Sequence, residues 1–187
     1  GRIHPAIVAQ AAATAATMLP DRFFLGLGTG EALNEHVVGE RWPPHHVRLE
    51  KLVEAVDVVR TLWEGEMCSH DGEHFTVETA QLFTLPDDPP PIHLAADGES
   101  SGRAAADVAD GIISTAPREG VVDTYAENAD DPGPKHGQLT VCWAETEKEA
   151  IETAHEQWPN TALAGELTQL LPTPTHFEQA CGMVEKE

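Results

Sequence analysis

Residues 92–115 constrain the fold of this chain more than any other stretch. After three consecutive prolines, Ile92-His93-Leu94-Ala95-Ala96 is a short apolar run that stops at Asp97-Gly98. A helical pattern over Ser101 to Val108 follows, and Gly111-Ile112-Ile113-Ser114 is a second run that ends at Thr115. Two strands joined by one helix in so few residues imply a right-handed parallel crossover, and therefore an α/β sheet. Ligands bind such sheets beyond the carboxyl ends of the strands. Asp97, Gly98 and Thr115 are thus expected on a ligand-facing rim.

A third strand reaches the same rim. Phe23-Phe24-Leu25-Gly26-Leu27-Gly28 is an apolar run interrupted by glycines, and Thr29-Gly30-Glu31 leads into the helix-forming residues Ala32-Leu33-Asn34-Glu35. A dinucleotide fingerprint needs its third glycine at position 31, where this chain has glutamate, so the NAD reading fails on spacing. Alternate glycines instead supply backbone that a flat ligand can approach closely. Glu31 is the first candidate functional residue. The alternative is a tight strand-to-helix turn with an exposed glutamate.

These residues carry a resemblance. Phe24 to Glu35, with Pro5-Ala6 and Ala9-Gln10-Ala11 before them and Trp42-Pro43 after, resembles the luciferase-like oxidoreductases. The branch concerned contains the coenzyme F420-dependent glucose-6-phosphate dehydrogenases. The likeness is most specific over residues 1–35 and weakens after about residue 120. It implies a partial TIM-type (β/α)8 barrel with a β-hairpin insertion before the fifth strand. Residues 1–187 would be one domain covering about strands 4 to 7 and their helices, with the first three strands and the C-terminal end missing.

The resemblance also implies a chemistry. A 5-deazaflavin lies across the barrel mouth and takes a hydride from the substrate carbon that bears the hydroxyl. Glu31 matches a glutamate beside the ring that acts as an acid or electrostatic partner, and a carboxyl sheltered against an apolar ring is favoured in its protonated form. Gly28, Thr29, Gly30, Ala95, Ala96, Asp97 and Gly98 match the cofactor-binding loops. The family usually has glycine where Asp97 stands, and this acid adds negative charge near an anionic coenzyme. Thr115 matches a substrate-phosphate contact, and Arg118 stands where the family carries a lysine, or is a surface residue. A further phosphate-binding lysine falls near Glu166-Leu167-Thr168, where this chain offers no cation. Glucose 6-phosphate is therefore disfavoured, because a dianion needs several charge-assisted donors. The family's proton-abstracting histidine lies outside this chain. None of the ten histidines replaces it, and His4, at a helix start, is read as structural.

The intact protein is thus expected to be an F420-dependent oxidoreductase acting on an alcohol or sugar-type small molecule. One alternative is an FMN-dependent luciferase-like monooxygenase. Another is a non-catalytic barrel fragment with two open parallel edges, and the fragment alone is expected to be inactive. A homodimer is the assembly considered.

Charge separates some partners from others. The chain has 32 Asp and Glu against 11 Lys and Arg, a net charge of −21. Self-repulsion at that density is relieved by salt, since the Debye length is ~3 Å at 1 M ionic strength. The expectation is a cytoplasmic protein of a high-salt cell. Disorder is argued against by 41% apolar residues in periodic segments. Nucleic acid and anionic membrane are excluded as partners by like charge. No apolar run is long enough for a membrane span, and Gly-Arg-Ile-His-Pro is not a signal sequence, its lack of a starting Met agreeing with an internal piece. Cys68, Cys142 and Cys181 read as reduced thiols.

Elsewhere, Pro5 to Met18 reads as a helix with Ile7, Ala11, Thr14, Ala15 and Met18 on one face. Val47 to Trp63 reads as a helix that packs on a sheet, with Gly65 ending it. Residues 67–85 form a hairpin around Asp71-Gly72. Its His70 and His74 flank a turn rather than sharing a helix face, so solvated hairpin residues are favoured over a metal site. Gln138 to Ala144 is a predicted strand and Thr146 to Gln157 a helix with a capping box. Residues 160–175 read as irregular and His176 to Lys186 as helical.

Overall fold

The protein is described by a computed structural model over residues 2–163 and 165–185. Its elements are α1 (Pro5–Met18), β1 (Leu25–Leu27), α2 (Ala32–Glu35), α3 (His45–Trp63), β2 (Cys68–Asp71), β3 (Thr76–Ala80), β4 (Ile92–Ala95), α4 (Glu99–Val108), β5 (Gly111–Ser114), α5 (Glu119–Asn128), β6 (Lys135–Gly137), α6 (Glu147–Gln157), α7 (Leu167–Leu170) and α8 (Pro174–Cys181). They fall into two compact units. The first holds the chain up to Thr29 together with Pro44–Leu139, and the second holds Gly30–Pro43 and the chain from Thr140 on. No described helix is long and apolar enough to cross a membrane.

The first unit is built on a four-stranded sheet in the order β1-β4-β5-β6, every pair parallel. This is the expected wall of a (β/α)8 barrel, with β1 and β6 as its edges. Register divides its side chains into two faces. Leu25 pairs with Ile92, Leu27 with Leu94 and Leu94 with Ile112, and these residues join the hydrophobic core with Val56, Val59, Leu62 and Trp63 of α3 and Tyr125 of α5. Burying each of Ile92, Leu94 and Ile112 contributes roughly 1.5–3 kcal/mol. The opposite face carries Gly26, His93 and Gly111 in one row and Ala95, Ile113 and His136 in the next.

Helix α1 has the expected limits, but the buried face differs. Pro5, Ala9, Ala12, Ala13 and Ala16 are buried, whereas Ile7 and Met18 are exposed. The small alanines win because they let α1 approach α3 closely enough for Trp63 Nε1 to donate to the Ala9 carbonyl at 3.0 Å. His4 is structural as expected: its Nδ1 accepts from the Ala6 amide at 3.2 Å and caps the helix. Helix α3 starts two residues before the predicted Val47, and its stripe also buries Val58 and Leu62. Gly65 follows its end at φ +80, the left-handed conformation that closes a helix.

The hairpin forms as β2 and β3, antiparallel, with Asp71 opposite Thr76. Its second strand begins at Thr76, because the turn expected at Asp71-Gly72 is a four-residue loop over 72–75 closed by Gly72 N donating to Phe75 O at 3.0 Å. Glu54 of α3 holds this loop. Its carboxylate accepts from the amides of His74 at 3.0 Å and Phe75 at 2.8 Å and meets His70 Nε2 at 3.2 Å. Burial pushes the Glu54 pKa up, but the bonds from Phe75, His70 and His74 outweigh it and hold the carboxyl below its ordinary 4.5. A lowered folded-state pKa gives stability that is present above the unfolded value and lost as pH falls through the folded one. Glu54→Gln is expected to cost about 1.5–3 kcal/mol near neutral pH. In urea titrations, the gap between parent and variant should close as pH drops below 4.5. A gap independent of pH would assign the loss to packing.

Helices α4 and α5 pack on each other beside β4 and β5. The sequence reading missed α5, whose two buried apolar residues, Val121 and Tyr125, sit among acids and a glycine. Helix α4 starts at Glu99, two residues earlier than predicted. Its N-cap is Gly98. The strand predicted over 138–144 is absent: β6 is Lys135–Gly137, and the residues after it are irregular although Leu139, Val141 and Trp143 alternate. All three are exposed, so nothing buried rewards the alternation.

In the second unit, α2 packs on α7, while α6 and α8 pack around a 3₁₀ turn at Pro159–Ala162. The Thr146 cap of α6 is as expected, its hydroxyl accepting from Glu149 N at 3.3 Å. That turn, apart from Pro159, and α7 lie within residues 160–175, which are less irregular than the sequence suggests. Helix α8 begins at Pro174, capped by Thr173, and ends at Cys181; Lys186 lies outside the described residues.

Candidate functional site

Parallel pairing places the carboxyl ends of β1, β4 and β5 along one edge of the first unit's sheet. Gly28 follows β1 directly, and a Cβ added there would meet the Ala95 Cβ at 3.3 Å. On the face that does not pack on helices, Gly28 and Ala95 leave only backbone and a methyl group at the strand ends, while Ile113 Cδ1 and Phe24 Cε2 reach to 3.4 and 4.0 Å of where a Gly26 Cβ would lie. Ala96 continues the ladder by donating to Ile113 O at 2.9 Å, and is buried. Asp97 then stands exposed, and Gly98 opens α4 with open space where a side chain would be.

Thr115 follows β5 and is also exposed. Its Oγ1 donates to Asp97 Oδ1 at 3.5 Å, the outer limit of a hydrogen bond. The preceding Ser114 is buried and turns inward, donating to Ala116 O at 2.8 Å. Arg118 is the N-cap residue of α5 and exposed. Gly28, Ala95, Ala96, Asp97, Gly98 and Thr115 thus lie on neighbouring strand ends of the first unit, whereas Glu31, expected on the same rim, belongs to the second unit.

Gly30 and Glu31 belong to the second unit. Gly30 takes φ +75, and a Cβ there would crowd the Glu35 side chain at 3.2 Å. Glu31 is the N-cap of α2, its carbonyl accepting from Asn34 N at 3.0 Å and Glu35 N at 3.1 Å. Its carboxylate makes no cap bond. Glu31 Oε2 instead accepts from Asn34 Nδ2 at 3.4 Å, and the side chain is exposed. Asn34 was not singled out from sequence, although its i, i+3 spacing from Glu31 on a short helix was there to be read.

Directly beside Gly26 on the same face lies His93, which was not singled out from sequence. His93 is 3% exposed, and neither ring nitrogen has a partner among the described residues. Its ring centroid lies 4.5 Å from that of Phe24 and 4.8 Å from that of His136, which are themselves 5.2 Å apart, so the three rings form one cluster. Gly111 makes room, since a Cβ there would lie 2.7 Å from His93 Cδ2. Burial, helped by the nearby His136 and opposed by Asp110, holds the His93 pKa below its ordinary value. The signal was a histidine inside an apolar strand whose neighbour opens with glycine. His70 and His74 are occupied differently: His70 faces Glu54, while His74 Nε2 lies 3.7 Å from Glu50. Among the described residues no group of three or more His, Cys, Asp or Glu could hold a metal ion.

A parallel sheet with polar residues at its carboxyl edge is the layout of a barrel wall whose ligand face lies at that edge. The chain belongs to the luciferase-like monooxygenase family, whose model matches residues 1–181. Among curated relatives, the F420-dependent glucose-6-phosphate dehydrogenase of Nakamurella multipartita is 42% identical over 114 residues, covering 61% of this chain and 34% of that protein. The F420-dependent hydroxymycolic acid dehydrogenase of Mycobacterium tuberculosis is 44% identical over 115 residues, covering 62% and 32%. The chain therefore spans about a third of these relatives' length. Among solved structures, an F420-dependent secondary alcohol dehydrogenase in complex with an F420-acetone adduct superposes with a TM-score of 0.86 at 26% identity, covering 98% of this chain and 59% of that one.

Proposed function

We propose that this chain contributes about strands 4 to 7 of the barrel of a coenzyme F420-dependent oxidoreductase, which transfers a hydride between an alcohol or sugar-type substrate and the deazaflavin. The strand ends at Gly28 and Ala95 carry the proposal. A planar ring system can lie against backbone and a methyl group there, and the bare start of α4 at Gly98 leaves the edge open. The F420-dependent names of the relatives support the same cofactor. FMN, also planar, is the competing occupant.

In this proposal Gly28, Thr29, Gly30, Ala95, Ala96, Asp97 and Gly98 hold the cofactor, and Glu31 is the acid or electrostatic partner. When bound, the deazaflavin supplies the hydride acceptor. Thr115 and Arg118 face the substrate. The exposed Glu31 carboxyl takes its shelter from the bound ring, and the base that removes the hydroxyl proton is supplied from outside this chain. On this reading the chain alone is inactive.

A fluorescence titration of the full-length protein with coenzyme F420, and separately with FMN, in molar KCl tests the cofactor. Saturable binding of F420 alone is the expected result; preference for FMN would move the protein to the monooxygenases. We further propose a high-salt cytoplasm and a soluble homodimer as the working state. The net charge of −21 supports the first, and the expected outcome is a melting temperature that rises with KCl. Size exclusion in molar KCl reads the second.

A further inference from the structure

We infer that the substrate is an uncharged alcohol rather than a sugar phosphate, and that Asp97, set against Thr115, is the residue that turns the phosphate away; this rests on the function proposed above. The names of the relatives leave the substrate open, since they include a sugar phosphate, a hydroxylated lipid acid and a secondary alcohol. The charges on the rim discriminate among them. The loops that follow β1, β4 and β5 in the first unit are Gly28-Thr29, Ala96-Asp97-Gly98 and Thr115-Ala116-Pro117-Arg118, and they contain one acid and one base. The next residue after the second loop is another acid, Glu99, in the first turn of α4. Lys135 opens β6 and so lies at the amino end of its strand, away from this edge.

A phosphate dianion needs several charge-assisted donors to replace its hydration. Here it meets a carboxylate on the strand next to the one that presents Thr115. The Thr115 hydroxyl lies 3.5 Å from that carboxylate, so a phosphate held by it would sit beside a like charge. A neutral hydroxyl meets no such penalty. Its oxygen can accept from Thr115 Oγ1, which leaves the hydroxyl proton to the base supplied from outside this chain. Asp97 thus acts as a specificity residue by charge, and its exposure leaves it free to do so.

The test compares the full-length parent with Asp97→Asn, which keeps the shape of the side chain and removes its charge. Calorimetric titration of the cofactor-free protein with glucose 6-phosphate needs no turnover. At the lowest KCl concentration at which the protein stays folded, the variant is expected to bind glucose 6-phosphate about threefold to tenfold more tightly than the parent. That gain should shrink as KCl is added, which a change of shape would not do. With F420 bound, the parent is expected to oxidise 2-propanol with a higher kcat/KM than glucose 6-phosphate. Equal glucose 6-phosphate affinity in parent and variant, or a gain insensitive to salt, would overturn the inference. Failure of the parent to bind F420 would instead remove the proposed reaction, and the calorimetric comparison would still decide the role of Asp97.

Discussion

Glu31→Gln is expected to lower turnover by about 10²–10⁴-fold, the range attributed to a positioned acid or base, while F420 affinity changes by only a few-fold. Glutamine preserves what Glu31 does for the fold. The N-cap role rests on its backbone, which accepts from Asn34 N and Glu35 N, and the carboxylate makes no cap bond that the amide would lose. The weak contact from Asn34 Nδ2 at 3.4 Å can also be made to an amide oxygen. What disappears is the proton that a carboxyl can give and the charge it can carry. Steady-state kinetics and a fluorescence titration of the same variant separate the two quantities. Unchanged kcat would return Glu31 to the role of an exposed turn residue, and a parallel loss of binding would make it a cofactor contact instead.

The second large effect concerns stability. Gly111→Ala is expected to cost about 1–3 kcal/mol, as overpacking usually does. The new methyl would lie 2.7 Å from His93 Cδ2 and 2.8 Å from the Pro134 carbonyl, so a buried ring or the backbone ahead of β6 must move. His93 adds a pH dependence of its own. Its folded pKa is depressed, so the proton prefers the unfolded chain, and stability is fully present above about pH 6.5 and falls as pH drops below it. His93→Phe keeps a ring in the cluster with Phe24 and His136 and removes both unpartnered nitrogens. Urea titrations from pH 7.5 to 5, taken here as a window of about one to two pH units around the free histidine value, should show the parent weakening more steeply than this variant. Equal slopes would mean that the stack opens to water before His93 takes a proton.

Much of the sheet was legible because its signals are local. The crossover from Ile92 to Thr115 fits one strand, one short helix and one strand, and hydrophobic runs with polar stops fix all three. The rim followed from the same reasoning, since parallel strands must end together. Helix α1 shows the limit: its boundaries are set by Pro5 and by the residues after Met18, yet its buried face is decided by how closely α3 can approach, which favours Ala9 and Ala13 over the larger Ile7. Helix α5 was hidden because two buried residues are too few for a period. The Leu139, Val141 and Trp143 alternation misled for the opposite reason, as it promises a strand whose partner must be supplied elsewhere. The loop anchored by Glu54 was illegible because nothing local to residues 72–75 announces an acceptor on a helix some twenty residues earlier. The site was readable in its residue types and not in its electrostatics, since the contact between Asp97 and Thr115 depends on the adjacency of two strand ends.

The grip of Glu54 on the hairpin loop gives that loop an unusual exchange behaviour. Loop amides normally trade their hydrogens with solvent within the dead time of an exchange experiment, but those of His74 and Phe75 are tied to a carboxylate on α3. Their protection therefore reports on the helix rather than on the hairpin: as long as α3 stays seated, two amides at the tip of a surface loop should exchange at the rate of a helix, and they should become fast together when it moves.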